Sequence, residues 1–267
     1  MTDRDERVTA VAMDVIAAVK ERLVAHGVTQ REYRQAWAWL VRLAESGEVP
    51  LFLDVHFEAA VERAASAGAP GSEGSVLGPF HLEGQERLTP PYRLPMRADE
   101  PGTPFLFDLR VVDLAGEPLA GVEVDVWQSA GDSLYSGFGS DAPAGNLRGI
   151  LTTDADGRAR FATVRPAPYQ IPNAGPTGEF LRMTGRHDWR PAHFHFILEK
   201  AGHDRLITQI YFAGDPIIEG EGDVVDAVKD SLIVEVGKGD DEAVAATYGV
   251  GTPYETAEHT FVLRPGP

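Results

Sequence analysis

"FLFDLRVV", residues 105–112, alternates Phe105, Phe107, Leu109 and Val111 against Leu106, Asp108, Arg110 and Val112. A period of two places the first set on one face and the second on the other, the mark of a strand with one side on a core. "GVEVDVW" (121–127) repeats the pattern with Val122, Val124 and Val126 against Glu123 and Asp125, and the intervening "DLAGEPLAG" (113–121) is turn chemistry. "RARFATV" (158–164), "HFHFIL" (193–198), "RLITQIYF" (205–212), "SLIVEV" (231–236) and "HTFVL" (259–263) extend the series, broken by "DADG", "KAGH" and "AGD". Many short strands without regular interleaved helices predict an antiparallel β-sandwich over 104–267.

The chain changes character towards its start. Val8, Val11, Val15, Val19 and Leu23 recur at helical spacing, with Ala12 and Ile16 on the same face, up to a stop at Gly27. In "TQRE", Thr29 and Glu32 have capping-box spacing, and Tyr33, Trp37, Leu40, Val41 and Ala44 follow to Gly47. A third helical segment is expected over about 51–67, closing at Gly68. The Tyr33–Trp37–Leu40 stripe reads as packing. Between 69 and 103, glycine and proline clusters ("GAPGSEG", "TPPYRLP", "EPGTP") indicate an ordered linker. The expected fold is therefore mainly β with α: helices in 1–68, a linker in 69–103 and a sandwich in 104–267.

The bulk composition narrows the partners. With 43% hydrophobic and 24% charged residues, the 267-residue chain can bury a core, and its net charge of −17 disfavours nucleic acid and anionic membrane surfaces. No cysteine is present, which removes disulfides, iron–sulfur ligation and covalent haem attachment. No apolar run has membrane-spanning length, and "MTDRDERV" lacks the apolar segment of a signal peptide, so a cytoplasmic location is expected.

The chemistry gathers in "GRHDWRPAHFHFILEK" (185–200). His193 and His195, two apart on a strand, share a face and can reach one metal ion. Two donors are too few. Glu199 would extend the pair in the manner of a cupin, although a cupin's third histidine has no good counterpart here. Tyr135 in "GDSLYSGFG" and Tyr169 in "RPAPYQIPNAGPTG" stand in irregular segments between strands, where site residues collect. Taken singly, each tyrosine reads as a rim residue with a bonded hydroxyl. A metal-free β-sandwich binding module is the third reading.

Taken in order, "DVWQSAGDSLYSGF", "GNLRG", "TTDADGR", "PAPYQIP", "GPTG", "GRHDWRPAHFHF" and "TQIYFAGDP" resemble the intradiol ring-cleaving dioxygenases. The resemblance runs over about 76–235 and extends to the catechol, chlorocatechol and hydroxyquinol branch through the helical start and "FLDVHFEAA". It implies a non-haem Fe(III), one per subunit, held by Tyr135, Tyr169, His193 and His195. It also implies cleavage of catechol or a substituted catechol with O2 to a cis,cis-muconate, or of hydroxyquinol to maleylacetate. Arg190, Gln209 and Tyr169 match catalytic positions; Val76, Pro79, Phe80, Arg190, Val224 and Val225 match substrate-binding ones. In its bland reading, Arg190 would simply pair with Asp188 or another acid. The resemblance further makes 1–68 a dimerisation region with a phospholipid at the homodimer interface, 69–103 part of the active-site wall, and 104–267 the catalytic domain.

Overall fold

The computed structural model describes residues 3–138 and 141–266. The chain divides at Val49/Pro50 into two compact units. In the first, α1 spans Asp3–Ala25 and α2 Gln30–Glu45. The expected capping box starts α2: the Glu32 amide donates to Thr29 Oγ1 (3.3 Å), and the Thr29 amide donates to Glu32 Oε2 (2.8 Å). The apolar stripe of α1 (Val8, Val11, Val15, Val19) and Tyr33, Trp37 and Leu40 of α2 are exposed in the single chain. The stripe read as packing is thus only half covered within the single chain, where Arg34 lies over the Tyr33 and Trp37 rings.

Helix α3 (Val49–Leu53) begins at the last residue of the first unit, and a π-helical turn at Asp54–Glu58 and α4 (Ala59–Ser66) follow in the second. The continuous helix expected over 51–67 is therefore interrupted by a wider turn, a feature that re-aims side chains and is frequent at functional sites.

Among the described residues twelve strands follow: β1 (Tyr92–Arg93), β2 (Pro104–Val112), β3 (Glu123–Gln128), β4 (Arg148–Thr152), β5 (Arg158–Val164), β6 (Tyr169–Gln170), β7 (Trp189–Arg190), β8 (His193–Glu199), β9 (Leu206–Phe212), β10 (Ile233–Val234), β11 (Gly237–Gly239) and β12 (Tyr254–Val262). Two five-stranded sheets result, ordered β1-β5-β2-β12-β11 and β10-β9-β8-β3-β4, with β6 and β7 forming a separate ribbon. Short helices α5 (Pro176–Met183), α6 (Pro216–Glu219) and α7 (Glu242–Tyr248) lie between strands.

The sheets are mixed, which corrects the purely antiparallel expectation. β12 runs parallel to β2 from Glu255–Phe105 to Val262–Val112, and β1 runs parallel to β5. Alternating hydrophobicity reports which face of a strand is buried; it is silent on the direction of the neighbour.

The sandwich core forms where Phe105, Phe107, Leu109 and Val111 of β2 meet Phe194, Phe196 and Leu198 of β8, all fully buried. Phe107 lies 5.3 Å from Phe194 and 5.6 Å from Phe196, and Phe105 lies 5.5 Å from Phe212, all tilted or edge-on. Each such side chain contributes roughly 1.5–3 kcal/mol by leaving water. Strand β8 is buried on both faces up to Glu199. Its opposite face carries His193, His195 and Ile197, and irregular segments around residues 76–80, 135–138, 169–172 and 224–227 cover it.

Candidate metal centre and substrate pocket

The strand register assembles the floor of the site. His195 pairs laterally with Trp127 of β3 and Gln209 of β9, and His193 pairs with Tyr211. These side chains therefore project from one sheet face, away from the phenylalanine core. Trp127 stacks on His195 with ring centroids 4.7 Å apart and planes 7° from parallel, which holds the imidazole orientation.

The His193 ring places Nδ1 2.7 Å from the Pro191 carbonyl oxygen. A carbonyl only accepts, so Nδ1 carries the hydrogen and the Nε2 lone pair faces the site. That Nε2 lies 3.0 Å from Nε2 of His195. Burial, reinforced for His193 by Arg190 and for His195 by His193, holds both imidazoles well below their ordinary pKa, so both are neutral at neutral pH.

The two tyrosines close over the histidines. Tyr169 enters from the β6–β7 ribbon, paired with Arg190. Tyr135 comes from the loop after β3, and its ring stands 5.2 Å from Tyr169 at 87° and 6.2 Å from His195. The Tyr169 and His193 rings are 5.7 Å apart. Tyr135 Oη is buried with no hydrogen-bond partner among the described residues. Burial raises both phenol pKa values: in Tyr135 the neighbouring Tyr169 adds to the rise, and in Tyr169 the Arg190 charge opposes it.

Arg190 is the electrostatic centre. Burial disfavours its charge, but the Asp223 carboxylate outweighs this and holds its pKa well above the ordinary value. Nε donates to Asp223 Oδ1 (3.1 Å) and Nη2 to Asp223 Oδ2 (3.0 Å). Nη2 also donates to Gln209 Oε1 (2.8 Å) and Tyr211 Oη (3.1 Å), and Nη1 donates to Tyr169 Oη at 3.4 Å. Asp188, the partner suggested by sequence proximity, instead accepts from Gln170 and Asn173. Gln209 passes the network on, donating from Nε2 to the Val76 carbonyl (2.6 Å).

A cavity lies beside the tyrosines. Val76, Pro79, Phe80, Tyr169, Arg190 and Val225 line it, as do Leu51, Asp54, Val55, Glu58, Ile171 and Pro172, which the sequence reading did not single out. Val224 stands outside that lining: it packs beneath it, buried, and its carbonyl accepts from Arg186. Asp54 and Glu58 come from the π-helical turn, and burial raises both carboxyl pKa values, with Asp54 adding to the rise in Glu58. Asp223 carried no local sequence signal, and Tyr211 and Asp54 lay inside "TQIYFAGDP" and "FLDVHFEAA" without being singled out, since their roles depend on contacts distant in the chain.

The donor set fits a ferric centre. Two neutral imidazole nitrogens and two phenol oxygens converge in one buried place, and an otherwise orphaned Tyr135 oxygen gains a role there. Glu199 takes no part. Four residues beyond His195 on an extended strand is about 13 Å, and its half-exposed carboxylate pairs with Arg205 at 2.8 Å. Among the described residues no three His, Cys, Asp or Glu side chains gather as a metal site, so the cupin-like arrangement is not formed.

A dioxygenase family model matches residues 76–265, and a model of the catechol dioxygenase N terminus matches residues 5–72. The chain belongs to the intradiol ring-cleavage dioxygenases. A chlorocatechol 1,2-dioxygenase of Rhodococcus opacus is 38% identical over 249 residues, 92% of this chain and 93% of that protein. A hydroxyquinol 1,2-dioxygenase of a Rhizobium species is 34% identical over 87% of this chain and 75% of its own length. The crystal structure of 3-chlorocatechol 1,2-dioxygenase from Rhodococcus opacus 1CP superposes with a TM-score of 0.90 at 37% identity, covering 98% of this chain and 100% of that one. This intradiol dioxygenase is thus an oxidoreductase of catechol-type ring cleavage, from a family that uses non-haem iron, and no helix among its described residues is long and apolar enough to cross a membrane.

Proposed function

We propose that Tyr135, Tyr169, His193 and His195 hold one Fe(III) per subunit and that the adjoining cavity takes catechol or a chlorinated catechol, giving a cis,cis-muconate. The convergence of those four donors beside Arg190 and an apolar cavity carries this reading. When bound, the ferric ion supplies Lewis acidity that favours the doubly deprotonated diol and activates it towards O2.

The chain's own residues do the rest. Val76, Pro79, Phe80 and Val225 clasp the ring and exclude water. Tyr169 Oη, at the junction of cavity and donor cluster, would be held as the phenolate by the ferric site and so could take up one of the two protons that the incoming diol gives up. Arg190, fixed by Asp223, Gln209 and Tyr211, stabilises negative charge developing on the substrate without reorganising. Gln209 acts through Arg190 and through the Val76 carbonyl, so it keeps the guanidinium and the pocket loop in register.

A second substrate reading has its own support. Asp54 brings a carboxyl to an otherwise largely apolar wall, where it can accept a hydrogen bond from the third hydroxyl of hydroxyquinol, giving maleylacetate. A carboxyl there, with Glu58 beside it, is better matched by a hydroxyl than by a chlorine on the ring. The exposed stripe Val8, Val11, Val15 and Val19 supports a homodimer through α1 with a phospholipid chain seated there.

Oxygen uptake with catechol, 4-chlorocatechol and hydroxyquinol, with products followed in the ultraviolet, tests the assignment. Uptake with a muconate product supports the first reading, and preference for hydroxyquinol that is lost in Asp54→Leu supports the second. No uptake with any of the three by iron-replete protein overturns both.

A further inference from the structure

Arg148 opens strand β4, opposite Trp127, and its side chain is almost wholly buried at 1% exposure. Its guanidinium joins two segments far apart in the chain. Nε donates to Ser136 Oγ (2.9 Å) and Nη2 to the Ser136 carbonyl (3.0 Å), while Nη1 donates to the Phe80 carbonyl (2.7 Å). Ser136 Oγ in turn donates to the Asn146 carbonyl (2.8 Å), returning the network to the loop just before β4. Above this fork the Phe80 ring stacks on Tyr135, centroids 4.4 Å apart and 17° from parallel, and meets Tyr169 edge-on at 5.6 Å.

The charge of Arg148 is conspicuous by its partners. Among the described residues no carboxylate bonds it directly, although Asp125 lies near enough to favour its charge, and its hydrogen bonds end on two carbonyls and a hydroxyl. Burial lowers its pKa to about 10, so it stays protonated at neutral pH. A neutral donor could satisfy carbonyls without the cost of a buried cation. The Arg148 guanidinium carbon lies 5.8 Å from the Tyr135 ring centroid, and the Tyr135 oxygen lacks a partner among the described residues. A fixed positive charge there would oppose an anionic oxygen ligand's desolvation cost.

We propose that Arg148 is a positioning residue of the metal site: it ties the Tyr135 loop and the Phe80 wall of the pocket into one unit, and it places a fixed positive charge beside the Tyr135 ring. This rests on the ferric reading for its second half only; the tie is a property of the protein without metal. It makes the substrate wall and one oxygen donor a single mechanical element, so movement of Phe80 to admit a ring is felt at Tyr135.

Three variants separate the parts. Arg148→Met removes fork and charge, Arg148→Lys keeps charge but not the fork, and Ser136→Ala removes one bond of the fork. In metal-free protein, hydrogen exchange over 78–81 and 134–138 rises together in Arg148→Met and Arg148→Lys, and less in Ser136→Ala, with the sandwich strands unchanged. In iron-loaded protein the tyrosinate-to-iron absorption moves to longer wavelength in Arg148→Met, because loss of a nearby cation raises the donor level, and stays near the wild-type position in Arg148→Lys. A displaced donor lowers kcat in Arg148→Met by about a hundredfold, with KM changing less. Exchange that rises in one segment alone, or not at all, overturns the tie; an unmoved absorption in Arg148→Met overturns the charge role. If Arg148→Met does not fold, Arg148→Lys and Ser136→Ala decide the tie. Wild-type protein that binds iron without this absorption removes the ferric reading and the charge role with it, while the exchange measurement still decides the tie.

Discussion

The two faces of strand β8 differ in almost every respect except burial. Phe194, Phe196 and Leu198 fill the sandwich core, and His193 and His195 stand on the reverse with polar atoms aimed at one another and at Arg190. On the core face, burial is stabilising in itself. On the other face, burial removes water from imidazoles, phenols and a guanidinium, and each becomes costly unless partnered. The fold thus uses one strand both to hold the sheets together and to keep a donor set dry.

The largest test of this contrast is a pair of substitutions. Phe196→Ala is expected to lower the unfolding free energy by about 3–5 kcal/mol, as for other large-to-small core changes. His195→Leu replaces a ring whose Nδ1 has no partner among the described residues, and should leave stability within about 1 kcal/mol of wild type while abolishing iron retention. Denaturant unfolding and metal analysis check both. Equal destabilisation by the two would break the contrast.

Next in size is the buried ion pair. Asp223→Ala strands the Arg190 guanidinium and should cost about 3–5 kcal/mol. Pairing Arg190→Met with Asp223→Leu should restore most of that stability but none of the activity, as the site face requires. Activity in the stable double variant would show that Arg190 has no part in the chemistry.

A smaller effect concerns an imidazole on the core side. His259 lies with Ala257 and Phe261 on the inward set of β12, its ring 4.6 Å from Phe261, and burial lowers its pKa to about 4. Its folded pKa is below the unfolded value near 6.5, so the unfolded chain takes up the proton first. Stability contributed by the neutral ring is complete above about pH 6.5, falls as pH drops towards 4, and levels off below that. After allowance for partial exposure the span is about 2 kcal/mol. Urea unfolding across this range should show the slope in wild type and its loss in His259→Leu.

Much of this contrast was legible in the sequence. "HFHFIL" states it directly, because the strand period separates histidine from phenylalanine. Tyr135 and Tyr169 were reachable only through the order of motifs resembling a family, since neither loop reveals its direction locally. Asp223, Tyr211 and Arg148 escaped because their partners are distant in the chain, and a buried acid in a loop looks like a solvated one. The parallel course of β12 beside β2 escaped because alternation is blind to strand direction, and the π-helical turn at Asp54–Glu58 because a continuous helix has nearly the same apolar spacing. The exposed aromatics of α2 show the reverse: an apolar stripe announces a face to be covered without naming what covers it.

The central claim is most directly tested by titrating metal-free protein with ferric iron while recording the visible spectrum. A tyrosinate-to-iron absorption that saturates at one iron per chain, and that Tyr135→Phe and Tyr169→Phe each shift or remove, is the predicted result. Iron uptake without that absorption, or an absorption indifferent to both substitutions, would contradict it.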